Sequence, residues 1–531
     1  MPGLGIIPAV NGAESLIRTA RAAGIELCLA NPGTTEMHLV QALEDVGGVR
    51  CVLGLFEGVC SGAADGYARM TGRPALVLLH LGPGLGNAVA NLHNAAKART
   101  PVFVVVGDHA TAHRGRGAPL EADVEGLARP VSRWVRTARS AATVAADAAE
   151  AIAAATSAPG RVATLIVPAD CAWEEAATPA EPRPANAPVS VDEDAVRQAA
   201  RVLSAAAPTH GRDGTAPAAL LLGGDALSEP GVRAAGRVAA ETGCALFAET
   251  FPARVERGRG LPPLRRLPYF PEDATAALAP ASGLVLAGTH APVAFFAYPG
   301  LPSEIAPPGT PVHALALPGE DAVGALERLA DRLGGTHRLP GAEPPVAPPA
   351  GPLSPETVGA VVAVAQPEGA IMVDEAITLS EPYVRASAGA PRHSYLALTG
   401  GAIGDGLPVA VGAALACPDR PVLVMQADGS GMYTPQSLWT MAREGLDVTV
   451  VVLANGTYRI LQVELARAGV ATPGPTASAL TDLGGPRLDW VALAAGMGVP
   501  GVSAATTDGL ADALARALAE PGPHLIEAVV A

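Results

Sequence analysis

Lysine is almost absent from this chain of 531 residues: Lys97 is the single one, and every other basic residue is arginine. That bias fits a GC-rich coding sequence better than a function. Basic charge is also outnumbered, 36 residues against 51 acidic ones, and the net charge of −15 argues against nucleic acid or an anionic membrane surface as a partner. Long apolar runs are missing, because Gly, Pro or a charge breaks each one before it reaches bilayer length. The N-terminus lacks the basic-then-apolar pattern of a secretory leader. The six cysteines (Cys28, Cys51, Cys60, Cys171, Cys244 and Cys417) are scattered without a CxxC pair. They read as small buried side chains in a reducing compartment, with no disulfide framework or zinc site, and a cytoplasmic location is expected.

What is present is burial capacity. Hydrophobic residues make up 49 % and charged residues 16 %, the balance of a well-buried globular protein. The length exceeds what one core supports, so two to four domains are expected. Two Pro- and Ala-rich stretches, Glu174 to Asp194 and His337 to Glu356, read as linkers. They give three segments, 1–178, 192–338 and 354–531. Each alternates short apolar runs with helix-like stretches: LCLAN, CVLGLF, ALVLLH and VFVVVGD in the first, AALLLGG and GLVLAG in the second, AIMVDE, VLVMQAD and VTVVVLAN in the third. Continuous apolar runs without alternation suit strands covered on both faces. Three α/β domains with doubly wound parallel sheets are therefore predicted, with chemistry placed just beyond the carboxyl ends of the strands.

The richest such stretch is VLVMQADGSGMYTPQSLWTMAREGLDVTVVVLANGTY. One strand ends in Asp428-Gly429-Ser430 and the next in Asn455-Gly456-Thr457, so a carboxylate, an amide oxygen and free carbonyls converge at one sheet edge. Hard oxygen donors suit Mg²⁺. Gly429 and Ser430 at the helix start would offer N–H groups and a hydroxyl to a phosphate. Separately, Asp at a strand end and Asn-Gly in a turn are ordinary.

The pattern resembles the GDG…NN signature of thiamine-diphosphate enzymes, in which the Asp and the second Asn stand about 27 residues apart, as Asp428 and Asn455 do here. Ala427 and Ala454 replace the first Gly and the first Asn of that signature, neither of which is a ligand. The resemblance implies thiamine diphosphate and Mg²⁺, with Asp428, Asn455 and the Thr457 main-chain oxygen as metal ligands and Tyr458 beside them. A second stretch, FEGVCSGAADGYARMTGRP, matches the family's activating helix and implies that Glu57 hydrogen-bonds the cofactor's aminopyrimidine and so promotes deprotonation of the thiazolium. NPGTTE and LLHLGPGLGN resemble active-site segments of benzoylformate decarboxylases, which implies catalytic roles for Thr34 and His80. Histidine suits proton relay near neutral pH; the plain alternative is a strand-end histidine bonded to backbone. Gly82, Gly84 and Gly86 read as allowing close backbone approach and not as a dinucleotide fingerprint. By the same resemblance Glu375 and Thr378 lie at the diphosphate, and Gly401 and Ile403 at the wedge that bends the cofactor. The three segments become pyrimidine-binding, middle, and diphosphate- and Mg-binding domains.

The subfamily motifs are mixed. His80 matches the benzoylformate decarboxylases and the following GPG the acetolactate synthases. Ala297 stands where the former carry a second histidine. The flavin-linked middle segment of the latter is missing from AGTHAPVAFFAYPG, which argues against FAD. Leu461 replaces a glutamate of pyruvate decarboxylases. Asp108, His109 and His113 are either additional acid–base groups or a solvated loop. The resemblance implies an acetolactate-synthase-like 2-oxo acid decarboxylase and carboligase. The alternatives are a benzoylformate-decarboxylase-like enzyme releasing an aldehyde, or a non-catalytic regulatory relative. It also implies a homodimer or homotetramer with active sites between subunits.

Overall fold

Strands form where residues apolar on both sides can be covered by helices on both faces, and the chain does this three times. The computed structural model describes residues 10–176, 178–205, 217–335, 343–470 and 472–530. The ends of the outer segments (1–9 and 531) and residues 337–342 of the second linker lie outside the described residues.

The first sheet contains β1 (Leu27–Asn31), β2 (Arg50–Leu53), β3 (Ala75–His80), β4 (Val102–Asp108), β5 (Trp134–Thr137) and β6 (Val162–Pro168). All its pairings are parallel, in the order 2-1-3-4-6-5. Next come β7 (Ala219–Leu222), β8 (Ala245–Ala248), β9 (Val255–Arg257), β10 (Arg265–Arg266), β11 (Leu284–Ala287) and β12 (Val312–Ala316). All but β9 make a parallel sheet in the order 10-8-7-11-12. The third sheet uses β13 (Ala370–Glu375), β14 (His393–Ala397), β15 (Val422–Ala427), β16 (Val448–Ala454), β17 (Gly501–Ala504) and β18 (His524–Val529). Its order is 17-18-16-15-13-14-9.

The edge strand β9 comes from the middle segment and pairs antiparallel with β14, His393 opposite Arg257 and Tyr395 opposite Val255. The middle segment is thus stitched into the third sheet. A pattern search for long apolar runs passes over β9 and β10, which are two or three residues long, and β5, whose Arg136 is held by Glu150 and Asp147. It also passes over β14, which is buried but opens on His393 and Ser394. Inside, His393 Nδ1 meets the Pro391 carbonyl at 2.8 Å and Ser394 Oγ donates to Glu256 at 2.8 Å, while His393 Nε2 has no partner among the described residues. The linkers are shorter than their composition suggests. Helix Glu193–Ala205 takes the last residues of the first, and helix Pro355–Ala365, capped by Ser354, takes the last of the second.

The outer two units share a core. Helix Glu57–Thr71 lies on helix Gly406–Ala416, and buried residues under the first sheet (Val77, Val104) belong to one apolar cluster with Val409, Val424 and Trp490 of the third. Glycine permits the approach. A Cβ at Gly66 would stand 2.1 Å from the Val409 carbonyl oxygen, and one at Gly412 would stand 1.9 Å from that of Ala63. Beside this seam Arg69 is buried against Asp65 at 2.5 Å and donates to the Ala397 carbonyl at 2.7 Å. The outer units are therefore fixed to each other by packing and by satisfied buried charge.

Candidate active site

Glu57 stands where β2 turns through Gly54, Leu55 and Phe56 into helix Glu57–Thr71. It is the first helical residue, where a carboxylate is favoured by the exposed N–H groups. Its Oε2 accepts a hydrogen bond from Asn87 Nδ2 at 2.9 Å. Across from it, β3 ends at His80, which opens helix Leu81–Ala98. Gly84 in the first turn of that helix lies between the two: a Cβ there would be 3.4 Å from Glu57 Oε1 and 3.5 Å from His80 Cβ. Gly82 packs on Ala122, and Gly86 faces open space. Leu81, directly after the histidine, has φ +52°, a left-handed conformation that costs free energy in a non-glycine residue.

His80 is held by a group that the sequence reading did not single out. Its Nδ1 lies 2.8 Å from Oε2 of Glu36, whose side chain is completely buried, and 3.2 Å from Thr35 Oγ1. The carboxylate is itself fixed, Oε2 accepting from Gly33 N at 2.7 Å and Oε1 from Thr35 Oγ1 at 2.5 Å. Glycines make this possible: a Cβ at Gly107 would fall 1.8 Å from Glu36 Oε1, and one at Gly33 would fall 2.4 Å from the imidazole. With Nδ1–H donated to the carboxylate, Nε2 is the nitrogen left without that contact. Thr34 is exposed, and no hydrogen bond of its side chain occurs among the described residues. The signal for Glu36 in the sequence is its place in the NPGTTE turn.

The oxygen-donor corner forms at the ends of β15 and β16. Those strands pair in register, Ala427 opposite Leu453, so the following residues emerge side by side. Asp428 is buried; its Oδ1 accepts from Gly429 N at 2.8 Å and its Oδ2 from Gly456 N at 2.7 Å. Burial raises its carboxyl above the ordinary aspartate range, which an adjacent cation would offset. Asn455 Oδ1 accepts from Thr457 N at 3.1 Å, and Thr457 Oγ1 is tied to the Thr481 carbonyl at 2.8 Å and to Gln462 at 2.7 Å. The Tyr458 ring lies over Gly429, where a Cβ would meet it at 2.5 Å. One carboxylate, one amide oxygen and a main-chain carbonyl are the donor chemistry that Mg²⁺ takes, with phosphate and water completing the shell. Among the described residues no group of three or more His, Cys, Asp and Glu side chains is arranged to hold a metal.

The remaining predicted residues divide between lining and support. Glu375, last residue of β13, is buried, and its carboxylate accepts from Gly404 N and Gly406 N, both at 2.5 Å. Burial pushes its carboxyl up to about 7. It shapes the loop from within. Thr378 is exposed, next to Ile377, whose φ of +56° is strained for a β-branched residue. Gly401 is exposed with φ +77°, Ile403 is half-buried, and Asn94 clamps the loop between them through Ala402 O at 2.7 Å and Ala402 N at 3.2 Å. Ser430 Oγ accepts from Gln426 at 2.6 Å. Asp108 is buried with Arg114 at 3.2 Å, while His113 is exposed.

Within one chain, no hydrogen bond or ion pair among the described residues joins the Glu57 group to the Asp428 group. A cavity of about 870 Å³ lies elsewhere, at the carboxyl ends of the middle sheet, lined by Glu249, Thr289, Phe295 and Arg254 among others. No described helix is long and apolar enough to cross a membrane.

Three parallel-sheet units, with Glu57 and His80 at the strand ends of one sheet and an oxygen-donor corner at the strand ends of another, are the arrangement of the thiamine-diphosphate class of enzyme. The chain belongs to the thiamine pyrophosphate enzyme family. The model of its N-terminal TPP binding domain matches residues 10–127 and that of its C-terminal TPP binding domain matches residues 382–528. Over 98 % of its length it is 52 % identical to IlvX of Mycobacterium tuberculosis, provisionally named as an acetolactate synthase large subunit, and it covers 99 % of that protein. It is 33 % identical to benzoylformate decarboxylase of Pseudomonas aeruginosa over 95 % of this chain and 96 % of the relative. Among solved structures, the thiamine diphosphate-dependent 4-hydroxybenzoylformate decarboxylase of Rhodococcus jostii RHA1 superposes with a TM-score of 0.85 at 27 % identity. The match covers 98 % of this chain and 99 % of that one.

Proposed function

We propose that this thiamine-diphosphate enzyme uses Mg²⁺ to decarboxylate a 2-oxo acid and releases the product as an aldehyde, with His80 as the proton donor. Bound thiamine diphosphate supplies the electron sink for the carbanion left when CO₂ departs. The chain's own residues do the rest. Asp428, Asn455 and the Thr457 carbonyl would hold the metal. Glu57, anchored by Asn87 through Oε2, holds and returns a proton at Oε1 on the pyrimidine side. Glu36 fixes the imidazole so that Nε2 of His80 delivers a proton to the carbon that lost CO₂.

The single observation that carries this reading is the 2.8 Å contact between His80 and a fully buried carboxylate. A solvated strand-end histidine needs no such support, whereas a proton donor must be held in one orientation and tautomer. Carboligation, the acetolactate-synthase-type outcome, is the second reading, favoured by the identity to IlvX. A screen of 2-oxo acids with product analysis separates the two, since a 2-hydroxyketone as main product overturns aldehyde release. Absence of thiamine diphosphate binding in calorimetry would remove both, leaving the non-catalytic relative.

The site is further proposed to close between two copies of the chain. Leu55 beside Glu57, and Met432, Tyr433 and Leu461 around the Asp428 corner, are apolar and exposed in the single chain, as faces awaiting a partner are.

A further inference from the structure

Cys28 and Cys51 are far apart in sequence but directly opposite each other on β1 and β2. Residues paired this way on neighbouring strands have backbones about 4.8 Å apart, inside the range a disulfide spans. Side chains of a parallel pair point to the same face, which puts both sulfurs on one side of the sheet, where Cys51 Sγ donates to the Val49 carbonyl at 3.6 Å. Their environments differ. Cys28 is buried, while Cys51 lies on the edge strand of the sheet and is exposed. The Cys28 thiol beside it, which keeps its own proton well above the usual range, draws Cys51 down to about 7. Other cysteines lack this pairing: burial pushes Cys60 up to about 12 and Cys244 up to about 11.

We infer that Cys28 and Cys51 form a reversible redox dithiol, Cys51 attacking a hydroperoxide and Cys28 resolving the product as a cross-strand disulfide. In the first step the Cys51 thiolate attacks the distal oxygen; the S–O bond forms, the O–O bond breaks, and the released alkoxide or hydroxide takes a proton from water. In the second, Cys28 sulfur attacks Cys51 sulfur, the S–S bond forms, the S–O bond breaks, and the Cys28 proton leaves with the oxygen as water. Two electrons pass from the sulfurs to the peroxide, and an external dithiol reverses the reaction. The bond would tie edge strand β2 to β1 just before the Gly54–Phe56 turn that presents Glu57. The inference does not rest on the proposed substrate or product.

Trypsin places the two cysteines on separate peptides, 22–50 and 51–69. The full-length protein is treated with hydrogen peroxide near stoichiometry, alkylated, digested without reductant and analysed by mass spectrometry. The expected result is a cross-linked pair of these peptides with fragments locating the bond at Cys51 and not Cys60, lost after dithiothreitol and lost in Cys51→Ser. In Cys28→Ser the resolving thiol is gone, so a sulfenic acid should accumulate at Cys51 and be trapped by dimedone. Without oxidant, Cys51 should alkylate about 10-fold faster at pH 7 than the buried Cys28 or Cys60. A wild-type digest without the cross-link, or a cross-link that survives in Cys51→Ser, overturns the inference.

Discussion

Oε2 of Glu36 lies 2.8 Å from Nδ1 of His80, and the carboxylate is sealed from solvent while the imidazole is partly exposed. A buried acid thus aims an accessible base. Glu36→Gln should lower kcat about 10-fold with KM nearly unchanged and should alter the pH–rate profile. His80→Ala should cost more and divert product from aldehyde toward other fates. A Glu36→Gln enzyme with wild-type kcat and pH profile would show that the contact is only structural.

Glu57→Gln should remove turnover by at least about 100-fold while the fold persists, because the amide cannot take up the proton. Asn87 can still donate to the remaining carbonyl oxygen, so the thermal melt should be nearly unchanged. Steady-state turnover and differential scanning fluorimetry on the same preparation check both halves.

Asp428→Ala should weaken cofactor and Mg²⁺ binding, measured by calorimetry. It should also destabilise the apo-protein, because Gly429 N and Gly456 N lose their shared acceptor. If the site is shared between copies, mixing inactive Glu57→Gln and Asp428→Ala proteins under exchange conditions should restore about a quarter of wild-type activity, since mixed dimers carry one intact site. No recovery after demonstrated exchange would mean that each chain completes its own site.

Glu375 gives a pH signature. Its folded carboxyl is raised from 4.5 to about 7 by burial, so the folded state binds the proton more tightly than the unfolded state. Its contribution is therefore full below the unfolded value and falls as pH rises toward 7, by about 3 kcal/mol in all. The Tm of the wild-type apo-protein minus that of Glu375→Gln should be larger at pH 5 than at pH 8. A pH-independent difference would contradict the assignment.

Gly66→Ala and Gly412→Ala place a methyl group on the carbonyl oxygens of Val409 and Ala63. Each should cost about 1–3 kcal/mol. The loss is read as a lower urea midpoint, and it should be accompanied by weaker cofactor binding because helix Gly406–Ala416 follows directly on the Ala402 loop.

How much was legible in advance depended on whether the cause was local. The long central strands were visible because continuous apolar runs have few other uses, and Glu57, Asp428 and Asn455 because each follows such a run. β9 was not, since three residues carry no periodicity and its partner β14 lies more than a hundred residues away. Glu375 was visible as a strand-end carboxylate, but the sequence could not say which way it turned. Burial by the Gly404–Gly406 backbone decided that, and made it a support of the loop. Thr34 and Thr35 differ by one position in a turn, and only the turn's backbone brings Thr35, and not Thr34, to His80.

The sequence by itself determined three parallel-sheet units and a carboxylate and an oxygen-donor pair at strand ends, because strand burial and strand-end chemistry follow from nearest neighbours along the chain; the cofactor class came from the resemblance of those motifs to a known family. Tertiary structure alone decided that Glu36 orients His80, that β9 crosses into the third sheet, and that Cys28 faces Cys51. Each depends on the register between strands distant in sequence, and that register is fixed by the packing of the whole core.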